Sequence, residues 1–189
     1  MIQGQRVTLK PFTREAYRQR YDWQTDPDVS YYAHGQKYAV TAPVDAFMNG
    51  YERCLAEDPS RSGLFAVYGD GDELIGEVDY REMDLVTRSA VIGVTLGKKE
   101  IWGKGYGTDA VRTLCIFLFE RFALERIQLD TWAENTRAIR SYEKVGFQIE
   151  GTLRKATLVN GVPSDVVIMG LLRDELKVRR NKSSYGRTD

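Results

Sequence analysis

Three glycines alternate with larger residues in Trp102-Gly-Lys-Gly-Tyr-Gly-Thr108, directly ahead of an amphipathic stretch. Glycine at 103, 105 and 107 lets backbone approach a ligand closely. A helix opening just behind them leaves amide N–H groups and the positive end of its dipole for an anion. A phosphate ester is the natural occupant. Spacing excludes two nucleotide fingerprints: Gly-x-x-x-x-Gly-Lys-Ser/Thr is absent, and Thr108 stands where Gly-x-Gly-x-x-Gly would place its last glycine. Neither an ATPase nor a dehydrogenase is supported. Further on, Asn135-Thr-Arg-Ala-Ile-Arg-Ser-Tyr142 offers a capping asparagine and a phenol seven residues beyond it. Glu77 and Asp79 alternate onto one face of a strand, and the single histidine, His34, sits in Tyr31-Tyr-Ala-His-Gly35. Cys54 and Cys115 form no CxxC or Cys/His pattern, so neither a metal site nor a disulfide framework is expected. No cysteine or serine has the flanking base and orienting group that an acyl-enzyme needs, which points to direct transfer between two bound substrates.

The elements that would carry these residues follow from period and punctuation. Arg6–Lys10 alternates as a first strand, and Thr13 can cap a helix bearing Ala16, Tyr17 and Tyr21, which Asp26-Pro27-Asp28 breaks. A second helix is expected after Thr41 and Pro43, with Val44, Phe47, Met48, Tyr51 and Leu55 on one stripe. Leu64–Tyr68, the Gly69-Asp-Gly-Asp72 turn and Leu74–Tyr80 read as a β-hairpin. Ser89–Leu96 is the next strand. A helix with Ala110, Val111, Leu114, Cys115, Leu118, Phe119 and Phe122 on its buried face joins it to Arg126–Trp132, so that pair should be parallel, with a right-handed crossover. The helix capped by Asn135 ends at Gly146-Phe147, and Phe147–Leu158, the Asn160-Gly161 turn and Val166–Leu171 form a closing hairpin.

A length of 189 residues fits one domain with a substantial core. Twenty-seven basic residues balance twenty-seven acidic ones, so no overall field draws nucleic acid. No apolar run reaches a membrane span and residues 1–6 lack a secretory signal, so the expected location is the cytoplasm. Acids gather between Asp70 and Asp84, whereas residues 176–189 read as a basic, disordered tail.

Ile92-Gly93, the glycine loop, the run Asn135-x-x-Ala138-Ile139-x-x-Tyr142-x-Lys144-x-Gly146-Phe147 and the closing Asp165-x-x-x-Met169-x-Leu171 together carry a family likeness. The chain resembles the GNAT family of N-acetyltransferases, in the branch that includes ribosomal-protein N-terminal acetyltransferases and spermidine acetyltransferases. The resemblance implies a single α/β domain over residues 1–175, with a mixed central sheet of about seven strands and about four helices on both faces. It implies acetyl-CoA as co-substrate, with no metal. Gly103, Lys104, Gly105, Gly107 and Thr108, beside Trp102, would hold the pyrophosphate, and Val94, Thr95 and Leu96 would bond the pantetheine arm where two strands part. Asn135, Ser141 and Lys144 would add contacts, and Tyr142 would donate a proton to the departing thiolate.

The acceptor amine is less constrained. At pH 7 a lysine-like amine costs roughly 4.6 kcal/mol to deprotonate and an α-amine about 1.1 kcal/mol, so only the first strongly demands a base. The family branch often has Glu two residues before the strand glycine, and this chain has Val91. Glu77 or Asp79 could then serve as base directly or through water, with Glu77 favoured and Asp79 placed at the acceptor site. Tyr31, Tyr32 and His34 fall in the segment that lines acceptor pockets in similar proteins. The expected partner is a protein N-terminus, a polyamine or another small amine, and a homodimer is one assembly left open. The competing reading is a non-catalytic acyl-CoA sensor that kept the loop and lost the chemistry.

Overall fold

The computed structural model describes residues 1–37 and 42–177. Its regular elements are β1 (Ile2–Gln3), β2 (Thr8–Pro11), α1 (Arg14–Thr25), α2 (Pro27–His34), α3 (Val44–Ala56), β3 (Gly63–Tyr68), β4 (Leu74–Asp84), β5 (Ser89–Leu96), α4 (Tyr106–Arg121), β6 (Arg126–Trp132), α5 (Thr136–Glu143), β7 (Gln148–Val159) and β8 (Val162–Leu172). The strands form one mixed sheet in the order β1-β2-β3-β4-β5-β6-β8-β7. Every pair is antiparallel except β5–β6.

The described residues therefore hold eight strands and five α-helices, one more of each than the sequence suggests. The extra strand is β1, two residues paired with β2. The extra helix is α2, and it arises where a break is expected. The Asp26 side chain accepts from Asp28 N and Val29 N at 2.9 and 3.1 Å, and Pro27 supplies a preset φ at the first helical position. The same residues that stop α1 start α2, and Gly35, at φ 72°, ends it.

Helix α4 is the spine of the core. Ala110, Leu114, Cys115 and Leu118 are completely buried against the sheet, as their spacing predicts. Polar groups on the same helix anchor distant chain ends. The Asp109 carboxylate accepts from Arg6 N at 2.7 Å and Val7 N at 3.2 Å, holding the start of β2. Arg112 donates to the Lys144 and Lys177 carbonyls, both at 3.0 Å. Leu176 packs on the core and Lys177 N donates to Val145 O, so the ordered domain continues past residue 175. The rest of the expected tail, 178–189, lies outside the described residues.

The parallel seam is short. β5 and β6 pair only at Ser89–Arg126, Ala90–Ile127 and Val91–Gln128. Beyond these three pairs the strands part, and β6 continues against β8 alone as far as Trp132.

Because Leu114 is fully enclosed at the middle of α4, Leu114→Ala should lower the unfolding free energy by about 2–5 kcal/mol. Urea unfolding checks this. A loss below about 1 kcal/mol would mean that the spine is not packed as described.

Candidate active site

The parted strands and the glycine loop open into one cavity of about 320 Å³. The loop wall is built by backbone conformation. Gly103 and Gly105 adopt φ of 77° and 91°, a region that L side chains rarely enter, and α4 starts immediately after with no side-chain cap. The amides of Tyr106, Gly107 and Thr108 therefore have no acceptor within the helix, and Gly103, Gly105, Gly107 and Thr108 all line the cavity. Val94, Thr95 and Leu96 form a second wall, with the unpaired edge of β5.

Helix α5 supplies the third wall. Asn135 caps it, accepting from Ala138 N at 3.4 Å and donating to Thr131 Oγ1 at 3.1 Å, which fixes the amide at the cavity edge. The Ser141 hydroxyl lies 2.7 Å from that of Thr108, joining the two helices that face the cavity. Arg137, Arg140 and Lys144 also line it, and among the described residues no carboxylate does. Orphan amides plus three cations make an anion site. Val29, Tyr32 and Ala33 of α2 close the remaining side.

Tyr142 also lines this cavity, 8% exposed, packed against Phe147. Burial pushes its phenol up to about 12, and the charges of Asp130 and Asp79 push in the same direction. The two acids stand on β6 and β4, on either side of β5. Asp79 reaches across Gly93, where a Cβ would fall 2.4 Å from its Oδ1.

Of the residues singled out in the sequence, the structure brings together Val94, Thr95, Leu96, Trp102, Gly103, Gly105, Gly107, Thr108, Asn135, Ser141, Lys144, Tyr142 and Tyr32. Lys104 is not among the lining residues, and its carbonyl accepts from the Arg6 guanidinium. Tyr31 lies behind Tyr32, edge-on to Trp132 at 5.7 Å. His34, at the end of α2, is outside the cavity. Desolvation and then the Arg20 charge hold its imidazole below the usual value, so it is neutral at pH 7. Glu77 is also outside the cavity, 7% exposed and ion-paired with Arg20 of α1. Burial pushes its carboxyl up and Arg20 opposes that push. Asp79 pairs with Arg81 at 2.9 Å and borders a second cleft of about 280 Å³ shared with Arg20, Cys54 and Glu57. Arg137 and Asp130 did not stand out in the sequence. Each reads as a solvated position on its element, and only the packing of α2 and the parting of β6 from β5 give them neighbours.

Residues 6–148 match the family model described as an acetyltransferase (GNAT) domain. The chain is a member of the GNAT acetyltransferase family. An uncharacterized N-acetyltransferase, p20, of Bacillus licheniformis is 28% identical over 172 residues, covering 90% of this chain and 95% of its own length. The spermidine N(1)-acetyltransferase of Escherichia coli (strain K12) is 28% identical over 172 residues, covering 89% and 87%. Among solved structures, the spermidine N-acetyltransferase from Vibrio cholerae in complex with CoA and spermine superposes with a TM-score of 0.79 at 25% identity, covering 90% of this chain and 97% of that one. This acetyltransferase uses acetyl-CoA as co-substrate, and the cavity suits it: orphan amides and cations for the phosphates, an open strand edge for the amide-bearing arm. Among the described residues, no group of three or more His, Cys, Asp or Glu side chains is arranged to hold a metal. No helix of the described residues is long and apolar enough to cross a membrane.

The Arg20–Glu77 pair is buried, so Glu77→Gln should strand a charge and reduce stability by about 3 kcal/mol. Chemical unfolding of the variant measures this, and a change under about 1 kcal/mol, typical of an exposed pair, would show that the two are not locked together.

Proposed function

We propose that this acetyltransferase acts on small cationic amines of the polyamine class, with spermidine as the test substrate. One observation carries the reading: a cavity lined, among the described residues, by cations and no carboxylate meets, at Tyr142, the charges of Asp79 and Asp130. The cations lie where an anionic donor would sit, and the carboxylates of β4 and β6 flank the Tyr142 end, where a cationic acceptor would arrive. The E. coli and V. cholerae relatives carry spermidine acetyltransferase names, and the latter has been seen with spermine. Both support the same acceptor.

Acetyl-CoA supplies a thioester whose carbonyl carbon is attacked by the amine nitrogen and whose sulfur departs as thiolate. Tyr142 is the group assigned to that sulfur. Its phenol, at about 12, is a weaker acid than a thiol of reference value about 8.5, so full proton transfer to an isolated thiolate would be uphill by roughly 5 kcal/mol. Its contribution is therefore a hydrogen bond to the developing negative charge, with the proton moving only as the amine loses its own. Asp130, with Asp79 shared by Arg81, favours the ammonium form and opposes its deprotonation. Glu77, committed to Arg20, supports β4 rather than taking the proton, and Val91 leaves the usual glutamate position apolar. The free-base fraction of the amine is then set by the medium.

Purified protein with acetyl-CoA should release free thiol faster with spermidine than with a peptide bearing a free N-terminus, by at least about tenfold in kcat/KM. The reverse order would contradict the acceptor assignment. CoASH binding with no thiol release from any amine would favour the sensor reading. Tyr142→Phe should lower kcat between about 10- and 100-fold while CoASH affinity is unchanged, as measured by calorimetry.

The pH profile gives a further check. The Tyr142 phenol is raised, so its protonated form persists as pH increases. The spermidine kcat/KM should climb about tenfold per pH unit between 7 and 9, with no falling limb before about pH 11. A decline setting in near pH 9 would show an essential acid of ordinary strength instead.

A further inference from the structure

Three elements far apart in sequence meet on one cation. The Arg137 guanidinium carbon lies 4.0 Å from the Tyr32 ring centroid and 4.1 Å from that of Trp102. The two rings also touch each other edge to face, with centroids 5.2 Å apart at 81°. Trp102 is held in turn by its Nε1–H, which donates to Leu96 O at 3.0 Å, at the end of β5. On the other side, Tyr32 contacts Tyr31, which contacts Trp132 at the end of β6. A chain of rings thus runs from one parted strand to the other, and Arg137 of α5 sits in the corner between two of its links.

A cation–π contact satisfies none of the N–H donors of a guanidinium. Among the described residues, no carboxylate or carbonyl accepts a hydrogen bond from Arg137. Elsewhere in the chain, arginines 20, 81, 112 and 126 all have oxygen partners. Arg137, Tyr32 and Trp102 all line the cavity that contains the orphan amides at the start of α4. Desolvation lowers the guanidinium's pKa without removing its charge. A guanidinium held in the corner of two rings, with no protein acceptor among the described residues, keeps N–H donors for the oxygens of a phosphate.

We propose that Arg137 is a positioning residue that donates to a phosphate of acetyl-CoA from the corner formed by Tyr32 and Trp102, so that the bound donor fixes α2 as the wall facing the acceptor. The proposal rests on the assignment of acetyl-CoA to this cavity and adds a coupling to it. A loaded donor completes the acceptor side, so the amine binds better to the donor complex than to the free enzyme. The phosphate is either that of the diphosphate bridge or the 3′-phosphate, and both present the same oxygens.

Calorimetric titration of CoASH and of 3′-dephospho-CoA into wild type, Arg137→Ala and Arg137→Lys, with titration of spermidine into wild type and Tyr32→Leu, tests both halves. Arg137→Ala should weaken CoASH at least about tenfold, and Arg137→Lys should recover part of that loss by restoring charge without the planar fork. An equal loss with 3′-dephospho-CoA assigns the contact to the diphosphate, and a loss confined to CoASH assigns it to the 3′-phosphate. Tyr32→Leu, which removes one of the two ring contacts to Arg137, should abolish most of the at least about threefold tightening of spermidine binding that saturating CoASH produces in wild type, read by calorimetry with and without CoASH. Thermal melts of the variants confirm that each remains folded. Arg137→Ala binding both ligands within twofold of wild type would overturn the phosphate contact, and a CoASH-induced change in spermidine affinity that is the same in Tyr32→Leu as in wild type would overturn the coupling. Failure of wild type itself to bind CoASH would instead remove the donor assignment on which the proposal stands.

Discussion

The brevity of the β5–β6 pairing is the constraint on which the site depends. Parallel strands joined through a helix would ordinarily continue to pair along their shared length. Here they separate after three residue pairs, leaving backbone N–H and C=O groups of β5 without a neighbouring strand. Buried backbone polar groups need partners, and a ligand arm carrying amides can serve as one. The gap is held open from both ends. Trp102 bonds the last carbonyl of β5, while β6 is kept in line by its full-length pairing with β8. The α4 spine and the Asn135 cap then bring an anion-binding helix start and the Tyr142 phenol to this one opening.

Charge is sorted across the same opening. The cavity offers the amides at the start of α4, Arg137, Arg140 and Lys144, and the charges of Asp79 on β4 and Asp130 on β6 reach Tyr142 from either side of β5. A neutral overall composition hides this division completely. The separation also explains why Tyr142 is so weak an acid: a phenolate there would be desolvated and would face two carboxylates. Keeping the phenol neutral preserves its capacity to donate a hydrogen bond where negative charge appears.

Much of this was legible in the residues themselves. Gly103 and Gly105 marked a turn that only unusual backbone angles could make, and the α4 stripe named its own buried face. Asn135 and Tyr142 were fixed by helical spacing from a cap. The sequence was less informative where one residue serves two elements. Asp26-Pro27 both ends α1 and caps α2, so a stop signal concealed a start. Glu77 was visible as an acid on the correct strand, but Arg20, 57 positions earlier, determines what its carboxylate does. Arg137 and Asp130 gave no local signal, because their importance comes from α2 folding over α5 and from β6 leaving β5, and both are long-range events.

The central claim is that the gap between β5 and β6 delivers the donor's sulfur to Tyr142. A crystal structure of the protein with CoASH measures this directly. The sulfur should lie within about 3.5 Å of the Tyr142 hydroxyl oxygen, with the arm hydrogen-bonded along the free edge of β5. A sulfur directed away from Tyr142, or an arm that does not enter the gap, would contradict the account.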